Sequence, residues 1–500
     1  MGGDDVELAP PLLNWDFIGR CYDVLKADPL DLKQGATVQM AYAYDTFEDV
    51  ADHSASKPVG LDYLAAPGGT FDHRVSEMSS SYDFKTTFRG DGSLTVSDPT
   101  GDLFSASLST SFTRTRQDIN TRSSVVTYTS EGVSTYKLQV RTDPKVRTLD
   151  QALASALGAL PTVAGAAHEA FIAKFGTHVA HAVTFGGRAT QRIVVSRQDY
   201  DGFLEEGIDI HANVSATFDI AKVGASGGVV DTRSQQFKTA SGVTVESIVY
   251  TGGTAPQQMW DMWAQYVKNA PAPIEIAFVP LHSLLVPEFF PHDQHVEQRR
   301  AALEAATNSY LSTQGRDTRL DLLRAGDRVT LALVAEGLTR CLAATSGYVR
   351  TAVLPGGGDA PPSLLWALEA ATPNSGAGAL TTTTPITFRN PALGSYLDAQ
   401  AGSDNTYSPG DGLLGLRAGS PAADSGRWTF EFASDRGRTE VVDGDAVLIR
   451  SAWSGSDGQR GLMLGEPKAL DAAQRVFSFG ARGQNGTIWR IARVVKGATA

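Results

Sequence analysis

Three histidines, His168, His178 and His181, are the residues whose type and spacing could most readily hold a metal ion. Zinc sites combine such imidazoles with cysteine or carboxylate ligands at close spacing. Here no cysteine or acidic cluster completes the set, and in a β-strand positions 178 and 181 would point to opposite faces. We therefore predict no metal site.

Other motifs of catalysis and cofactor binding are also missing from the sequence. The glycine runs at 226–228 and 356–358 lack the Lys-Ser/Thr tail of a phosphate-binding loop. Nothing resembles the strand-to-helix elbow that presents a nucleophilic serine. We predict that the chain is not an enzyme and carries no cofactor.

The histidines fall where a predicted helical region meets a predicted long strand. Residues 149–174 place Ala and Leu at helical spacing, with Pro161 splitting the run. Residues 179–196 are rich in β-branched side chains and contain Gly186 and Gly187. A glycine pair inside a strand removes side chains where a sheet bends or another backbone approaches.

This stretch resembles the signature of the membrane-attack-complex/perforin (MACPF) family, whose members assemble into rings and form membrane pores. The family pattern is an aromatic residue, Gly, Thr or Ser, His, a second aromatic, six residues and a glycine pair. Val179 stands where the second aromatic is customary. The residues that fit the pattern are Phe175, Gly176, Thr177, His178, Gly186 and Gly187.

Further family-like features follow along the chain. A second glycine pair, Gly252 and Gly253, comes next, and residues 278–285 resemble the Pro-Leu strand and helix that close the family's central sheet. The resemblance covers residues 35–315 and is to bacterial insecticidal members. It implies an α+β fold, a MACPF/CDC domain whose bent central antiparallel sheet is flanked by helix clusters.

Residues 208–220 alternate strictly between apolar and polar side chains, as a strand with one apolar face does. At about 3.3 Å per residue this run spans roughly 43 Å, which suits a strand crossing a hydrocarbon core of about 30 Å at a tilt near 45°. We predict a membrane-inserting strand here. Its lipid-facing residues would be Ile208, Ile210, Ala212, Val214, Ala216, Phe218 and Ile220.

A second alternation lies upstream of the signature. Its apolar residues, which alternate with serines, are Phe104, Ala106, Leu108 and Phe112. The two candidate segments, 95–140 and 205–250, flank the signature in the order of the family's two pore-forming hairpins. The resemblance implies that both are stored as helix clusters before insertion, whereas the alternation itself predicts strands. A sheet with one solvent-facing side explains the alternation equally well.

Composition limits the remaining classes of function. The 500 residues, 42% of them hydrophobic, suffice for two or three domains. No apolar run of about 18 residues predicts a transmembrane helix, and a net charge of −12 argues against nucleic acid as a partner. The two cysteines exclude a disulfide framework. Since no signal peptide is recognisable, we expect a soluble protein, released without one, that acts at a target-cell membrane.

The C-terminal third repeats itself three times. After a linker at 316–326, residues 327–496 contain three units, each closing on a tryptophan with an apolar residue two places later. Regular spacing and the lack of helical pattern predict an all-β β-trefoil. Its core would contain Trp366, Trp428 and Trp489.

We expect this C-terminal region to recognise a glycan or protein receptor, because the negative net charge gives no simple adhesion to anionic lipid. Aromatic rings beside Asp and Asn in loops are typical of sugar sites. The candidate receptor-binding residues are Trp453, Tyr407, Asp404 and Asn405.

Together these features predict a pore-forming toxin. Domain 1–315 would assemble into a homo-oligomeric ring on target-cell lipid and insert a β-barrel, and the resemblance implies insecticidal activity. Two alternatives stay open: a non-lytic lectin-like adhesin with the MACPF fold as scaffold, and an enzyme anchored to polysaccharide. The latter would need an acid/base pair that we do not find.

Overall fold

The computed structural model contains two large β-sheets, each with its own hydrophobic core. The described residues are 8–51, 54–65, 72–120, 122–143, 146–223, 237, 239–253, 263, 265–333, 340–345, 349–353, 360–371, 378–399, 412–413, 415–418, 420, 426–434, 438–452, 463–465, 477–479 and 488–494.

Two long antiparallel strands, β8 and β9, form the middle of the first sheet. Their length follows from the β-branched composition of both segments. The strands are β1 (Arg20–Tyr22), β2 (Ala36–Met40), β5 (Leu61–Ala65), β6 (Asp72–Met78), β7 (Leu94–Val96), β8 (Ser124–Val140), β9 (His178–Ser196), β10 (Val243–Val245), β11 (Val249–Thr251) and β12 (Ala272–Pro280), while β3 (Phe47–Asp49) and β4 (Ser56–Pro58) pair separately.

The neighbours of β8 and β9 divide each long strand into two halves. On its outer edge β8 pairs with β5 and then β6, and on its inner edge with β9. The first half of β9 pairs with β12, and its second half pairs with β11 and β10. Beyond β12 lies β7, in parallel pairing, and β1 joins the start of β9.

Eight α-helices of the described residues connect and cover this sheet. Several begin at a side chain that accepts a backbone N–H of the first turn, as N-caps do: Ser80, Asp98, Asp150 and Ser196. The helices are α1 (Ser81–Gly90), α2 (Pro99–Phe104), α3 (Thr110–Asn120), α4 (Gln151–Gly158), α5 (Ala166–Phe175), α6 (Arg197–Glu205), α7 (Ile210–Val223) and α8 (Val296–Gln314).

The predicted split helical region and the predicted long strand are both confirmed. Residues 149–174 form α4 and most of α5, with Pro161 between them, and residues 179–196 lie within β9. The predicted linker 316–326 contains a 3-10 turn at Thr318–Asp321.

The C-terminal sheet, β13 to β25, repeats one arrangement three times. Its strands are β13 (Arg328–Leu333), β14 (Arg340–Ala344), β15 (Val349–Val353), β16 (Trp366–Ala370), β17 (Ile386–Asn390), β18 (Ser395–Asp398), β19 (Gly412–Leu413), β20 (Gly415–Ala418), β21 (Trp428–Phe432), β22 (Ala446–Ser451), β23 (Met463–Gly465), β24 (Phe477–Phe479) and β25 (Ile488–Arg493).

The three tryptophans of the repeat are fully buried, as predicted. Each indole N–H donates to a main-chain carbonyl of its own unit: Trp366 to Leu342 at 3.0 Å, Trp428 to Leu397 at 3.3 Å and Trp489 to Leu464 at 2.8 Å. A buried indole needs such an acceptor, so each tryptophan fixes the second strand of its unit to the strand that closes it.

Candidate functional site: signature, glycine junction and two stored segments

The signature residues Phe175 to His178 end α5 and begin β9. Gly176 has φ of +81°, and a Cβ there would come within 2.3 Å of the Tyr22 carbonyl oxygen, so only glycine fits. The Thr177 hydroxyl accepts the Val24 N–H at 3.1 Å. The Phe175 ring is buried in the large hydrophobic cluster of the first sheet, which we call the main core. The signature therefore joins α5, β9 and the segment after β1.

His178 connects the signature to the first candidate segment. Its Nε2 lies 2.6 Å from Asp98 Oδ1, and its Nδ1 lies 2.9 Å from the Thr177 hydroxyl. Asp98 also caps α2, accepting the Gly101 N–H at 2.6 Å. Burial alone would raise the pKa of Asp98, but the hydrogen bond and charge of His178 outweigh it and lower that pKa.

The two glycine pairs meet at one place, which we call the glycine junction: Gly186, Gly187, Gly252 and Gly253 around Trp263. A Cβ at Gly186 would come within 2.0 Å of the Val133 carbonyl oxygen, and one at Gly187 within 2.7 Å of the Trp263 ring. The Trp263 indole N–H donates to the Gly252 carbonyl at 2.7 Å. The missing side chains make room for this indole and for close backbone contact.

Opposite the junction, β8 carries a bulge. The β8–β9 register shifts between Ser134 and Tyr136, so Thr135 is an extra residue on β8. Its hydroxyl donates to the Phe185 carbonyl at 2.9 Å. Bulges increase local twist and bend the strand that carries them.

Residues 99–120 of the first candidate segment form helices and a turn rather than a strand. The strand pattern predicted for its apolar residues is wrong in this structure: Phe104 ends α2, Ala106 and Leu108 lie in a turn, and Phe112 lies in α3. Phe104, Ala106 and Phe112 are buried in the main core, whereas Leu108 is 43% exposed. The remainder of the predicted 95–140 segment contains β8 itself.

A buried ion-pair cluster fastens α3 to β9. The Arg192 guanidinium on β9 contacts Asp118 of α3 and donates to Glu246 at 2.6 Å, and both Arg192 and Asp118 are more than nine-tenths buried. Because Glu246 belongs to the predicted 205–250 segment, this one arginine contacts both candidate segments.

Residues 210–223 of the second candidate segment are also helical, so the strand predicted for 208–220 is wrong in this structure. Ile210, Val214 and Phe218, four residues apart, face inward on α7 and are buried. Ile208 is buried as well, Ala212 is exposed, and Ala216 and Ile220 are partly buried. Of the polar side chains that alternate with these residues, Asn213 and Thr217 are buried.

The reason is that the two periods overlap in this sequence. Every second alternating position falls four residues along, which is also the spacing of one helix face. The helical form predicted from the family resemblance, rather than from the alternation, is the one that the structure contains.

Polar contacts hold α7 against β6 and β8. His73 Nε2 of β6 lies 2.9 Å from the Ser215 hydroxyl. The Lys222 ammonium donates to Glu131 of β8 and lies 3.3 Å from Asp219. Burial alone would lower the pKa of Lys222, but these two carboxylates outweigh it and raise that pKa.

These contacts include the described group best arranged to hold a metal ion. Ligand atoms of His73, Glu131 and Asp219 lie within 4.8 Å of one another. The Lys222 ammonium already pairs with both carboxylates. The arrangement therefore acts as an ion-pair contact between α7 and the sheet.

Phe218 connects α7 to the glycine junction. It is fully buried in a small cluster with Val133, Ala189, Trp263 and Val267. The helix of the second segment and the glycines of the sheet thus share one packing unit around the Trp263 indole.

The comparison with protein families decides what this arrangement is. A family model described as the MAC/Perforin domain matches residues 9–319. The chain belongs to the MAC/perforin family. Among solved structures, the crystal structure of GNIP1Aa from Chromobacterium piscinae is similar at 13% identity, covering 90% of this chain and 91% of that chain with a TM-score of 0.46.

Three charged pairs of this MAC/perforin chain were not predicted from its sequence. They are Asp98 with His178, Asp118 with Arg192, and Glu131 with Lys222. Only Asp98 carried a local signal, since Asp followed by Pro commonly starts a helix. The other pairs join residues distant in sequence.

Two further predictions meet the structure differently. Among the described residues, no helix has both the length and the apolar character to cross a bilayer. The predicted receptor-binding residues Asp404, Asn405, Tyr407 and Trp453 lie outside the described residues.

Proposed function

We propose that this MAC/perforin chain forms membrane pores by converting both stored segments into strands that prolong the central sheet. Both segments adjoin the same end of that sheet. The helical part of the first, α2 and α3, precedes Ser124, where β8 begins, and the helix of the second, α7, follows Ser196, where β9 ends. Ser124 and Ser196 are paired, so both segments can extend one existing ladder.

The register of that ladder is the observation that carries the proposal. Each step back from Ser124 is matched by one step forward from Ser196. Continued outward, Leu108 falls opposite Ala212, Ala106 opposite Val214, and Phe112 opposite Ile208. The apolar positions of the two segments thus meet each other and share one face, as a lipid-facing surface requires.

The polar positions coincide in the same way. Ser111 falls opposite Asp209, and Ser107 opposite Asn213, which supplies the opposite, water-facing side of a barrel wall. Had the two segments differed by one residue in register, each face would mix apolar and polar side chains.

The rest of the predicted function stands with this proposal. Domain 1–315 assembles into a homo-oligomeric ring and inserts a β-barrel without catalysing a reaction. Residues 327–496 form a β-trefoil that binds a glycan or protein receptor on the target cell. The threefold repeat of buried tryptophans supports the trefoil. An insecticidal role is the use we propose for the pore.

A cysteine pair tests the register directly. Leu108→Cys with Ala212→Cys places thiols at two positions that are exposed before insertion. On vesicles made from target-membrane extract, we expect a short bifunctional thiol reagent to join them, and not to do so in solution. Leu108→Cys with Ala216→Cys is the control, because four residues of strand separate its thiols by about 13 Å. Equal joining of both pairs on vesicles would contradict the register.

A matched pair of substitutions at Ala212 tests the lipid face by dye release. Ala212 is exposed on α7, and Arg and Leu have similar helix propensities, so both variants keep the stored fold. A lipid-facing Arg costs about 2–4 kcal/mol at the bilayer midplane. We expect Ala212→Leu to release dye and Ala212→Arg to bind without release. Binding without release by wild type would support a non-lytic adhesin instead.

A further inference from the structure

The C-terminal sheet contacts α6, the helix through which the second segment leaves β9. Arg490 of β25 forms an ion pair with Asp201 of α6 and donates to the Gly444 carbonyl at 2.7 Å. Arg197 of α6 donates to that same carbonyl at 3.0 Å. The Tyr200 hydroxyl lies 2.9 Å from the Ser434 hydroxyl.

A second contact reaches α1. Arg438 donates to Asp83 of α1 at 2.6 Å and to Asp445 at 2.7 Å, and all three side chains are more than nine-tenths buried. α1 follows β6 closely, and the β6–β8 ladder continued past Met78 and Val126 would bring residues 81–90 opposite residues 114–123. This contact therefore concerns the β6–β8 edge of the sheet and not β9.

The α6 contact cannot persist. α6 begins immediately after β9, so β9 can be prolonged only if residues 197–205 leave the helical form. Leaving it carries Arg197, Tyr200 and Asp201 away from the C-terminal sheet. A cavity of about 710 Å³ between residues 204–211 and the C-terminal sheet shows that the connection beyond α6 is not packed tightly against that sheet.

We propose that the C-terminal sheet restrains the second segment, with Ser434, Gly444 and Arg490 forming a restraining surface that keeps α6 helical. This inference rests on the proposed pore formation and adds its regulation. Separation of this surface from α6 is the step that frees β9 to extend.

The restraint is tested first in solution. Arg490→Ala removes the ion pair with Asp201, and Arg450→Ala is the control because Arg450 pairs with Glu431 inside the C-terminal sheet. We expect amide hydrogen exchange in residues 197–205 to rise about tenfold in Arg490→Ala and to match wild type in Arg450→Ala. Unchanged exchange in Arg490→Ala would overturn the restraint.

The second test joins the two surfaces covalently in the full chain. Asp201→Cys with Arg490→Cys is bridged by a bifunctional thiol reagent that a reductant cleaves, and the same variant capped with a monofunctional reagent is the control. The native thiols stay out of the reaction, because burial raises the pKa of Cys21 to about 12 and that of Cys341 to about 11. We expect bridged protein to release no dye until it is reduced.

The outcomes separate the two proposals. Equal release by bridged and capped protein overturns the restraint and leaves pore formation standing. Absence of release by wild type, with membrane binding intact, overturns pore formation, and the exchange measurement in solution still decides whether the contact holds α6.

Discussion

The two candidate segments are fastened to the sheet in different ways. The first is part of the main core: Phe104, Ala106 and Phe112 are buried there. Its turn is also hydrogen-bonded through the backbone, with the Ala106 N–H donating to the Val24 carbonyl at 2.9 Å and the Leu108 N–H to the Leu25 carbonyl at 2.8 Å.

The second segment rests on two small clusters instead. Val214 packs in the cluster around Val125, and Phe218 packs in the cluster around Trp263. Outside these two clusters, α7 is held by polar contacts. Water could replace those contacts once the segment is extended and exposed. Because of this difference, release of the second segment leaves the main core intact, whereas release of the first segment opens it. We therefore expect the second segment to detach first.

The largest effect should come from the first segment's aromatic anchor. Phe112→Ala should lower the free energy of unfolding of the MAC/perforin domain by about 3–5 kcal/mol, because it leaves a cavity in the main core. Leu108→Ala, at an exposed position of the same segment, should change it by less than about 0.5 kcal/mol. Denaturant unfolding measures both. A Phe218→Ala variant with as large a global effect as Phe112→Ala would remove the distinction between segments.

The arginine that contacts both segments comes next. Arg192→Met leaves the Asp118 carboxylate buried, and we expect a loss of about 3 kcal/mol, the lower end for broken buried pairs, because Arg122 still lies 3.0 Å from Asp118. Arg114→Met is the control: Arg114 is 57% exposed and contacts Glu246, so its loss should cost under about 1 kcal/mol. Equal losses by thermal unfolding would show that burial of Arg192 is unimportant.

The pair of Asp98 and His178 should make the first segment sensitive to acid. Because folding lowers the pKa of Asp98, its stabilisation is complete above the unfolded value of about 4 and is lost as pH falls through the folded value. Asp98→Asn should therefore cost about 1 kcal/mol at neutral pH. The difference from wild type should shrink below about pH 4, measured by unfolding across a pH series. A constant difference down to the lowest pH would contradict this account.

The smallest effect should come from the ammonium group that holds α7. Lys222→Met should weaken the second segment by about 0.5–1 kcal/mol, since His73 still lies 3.8 Å from the Glu131 carboxylate after the ammonium is removed. Amide exchange should rise in residues 210–223 and not in residues 110–120. Lys268→Met, at an exposed position outside α7, should leave both unchanged. A rise in both segments after Lys222→Met would mean that they open together.

The sequence predicted the parts of the site that local spacing determines. The signature through His178 and the strand 179–196 depend on short patterns, and the buried tryptophans depend on the regular repeat of their units. The structure places each as expected. The form of residues 208–220 could not be settled locally, because Ile210, Val214 and Phe218 satisfy a helix face and a strand face at once.

The remaining features of the site depend on tertiary contacts between residues that are distant in sequence. Arg192 and Asp118 lie 74 residues apart, and no spacing rule links them. The partner of the signature histidine, Asp98, lies 80 residues before it. Most of the residues predicted to face lipid in an inserted form are core residues in this structure.

The bulge at Thr135 sets the phase of the proposed barrel wall. On the far side of the bulge, Tyr136 pairs with Phe185 and Leu138 with Val183, one residue out of step with the ladder above it. A ladder continued in that lower phase would bring Leu108 opposite Asn213 and Phe112 opposite Asp209, with carboxylates and amides among the apolar rings. Thr135 lies more than twenty positions along the chain from Leu108 and Phe112. This one extra residue thus determines whether the two segments present a continuous apolar surface.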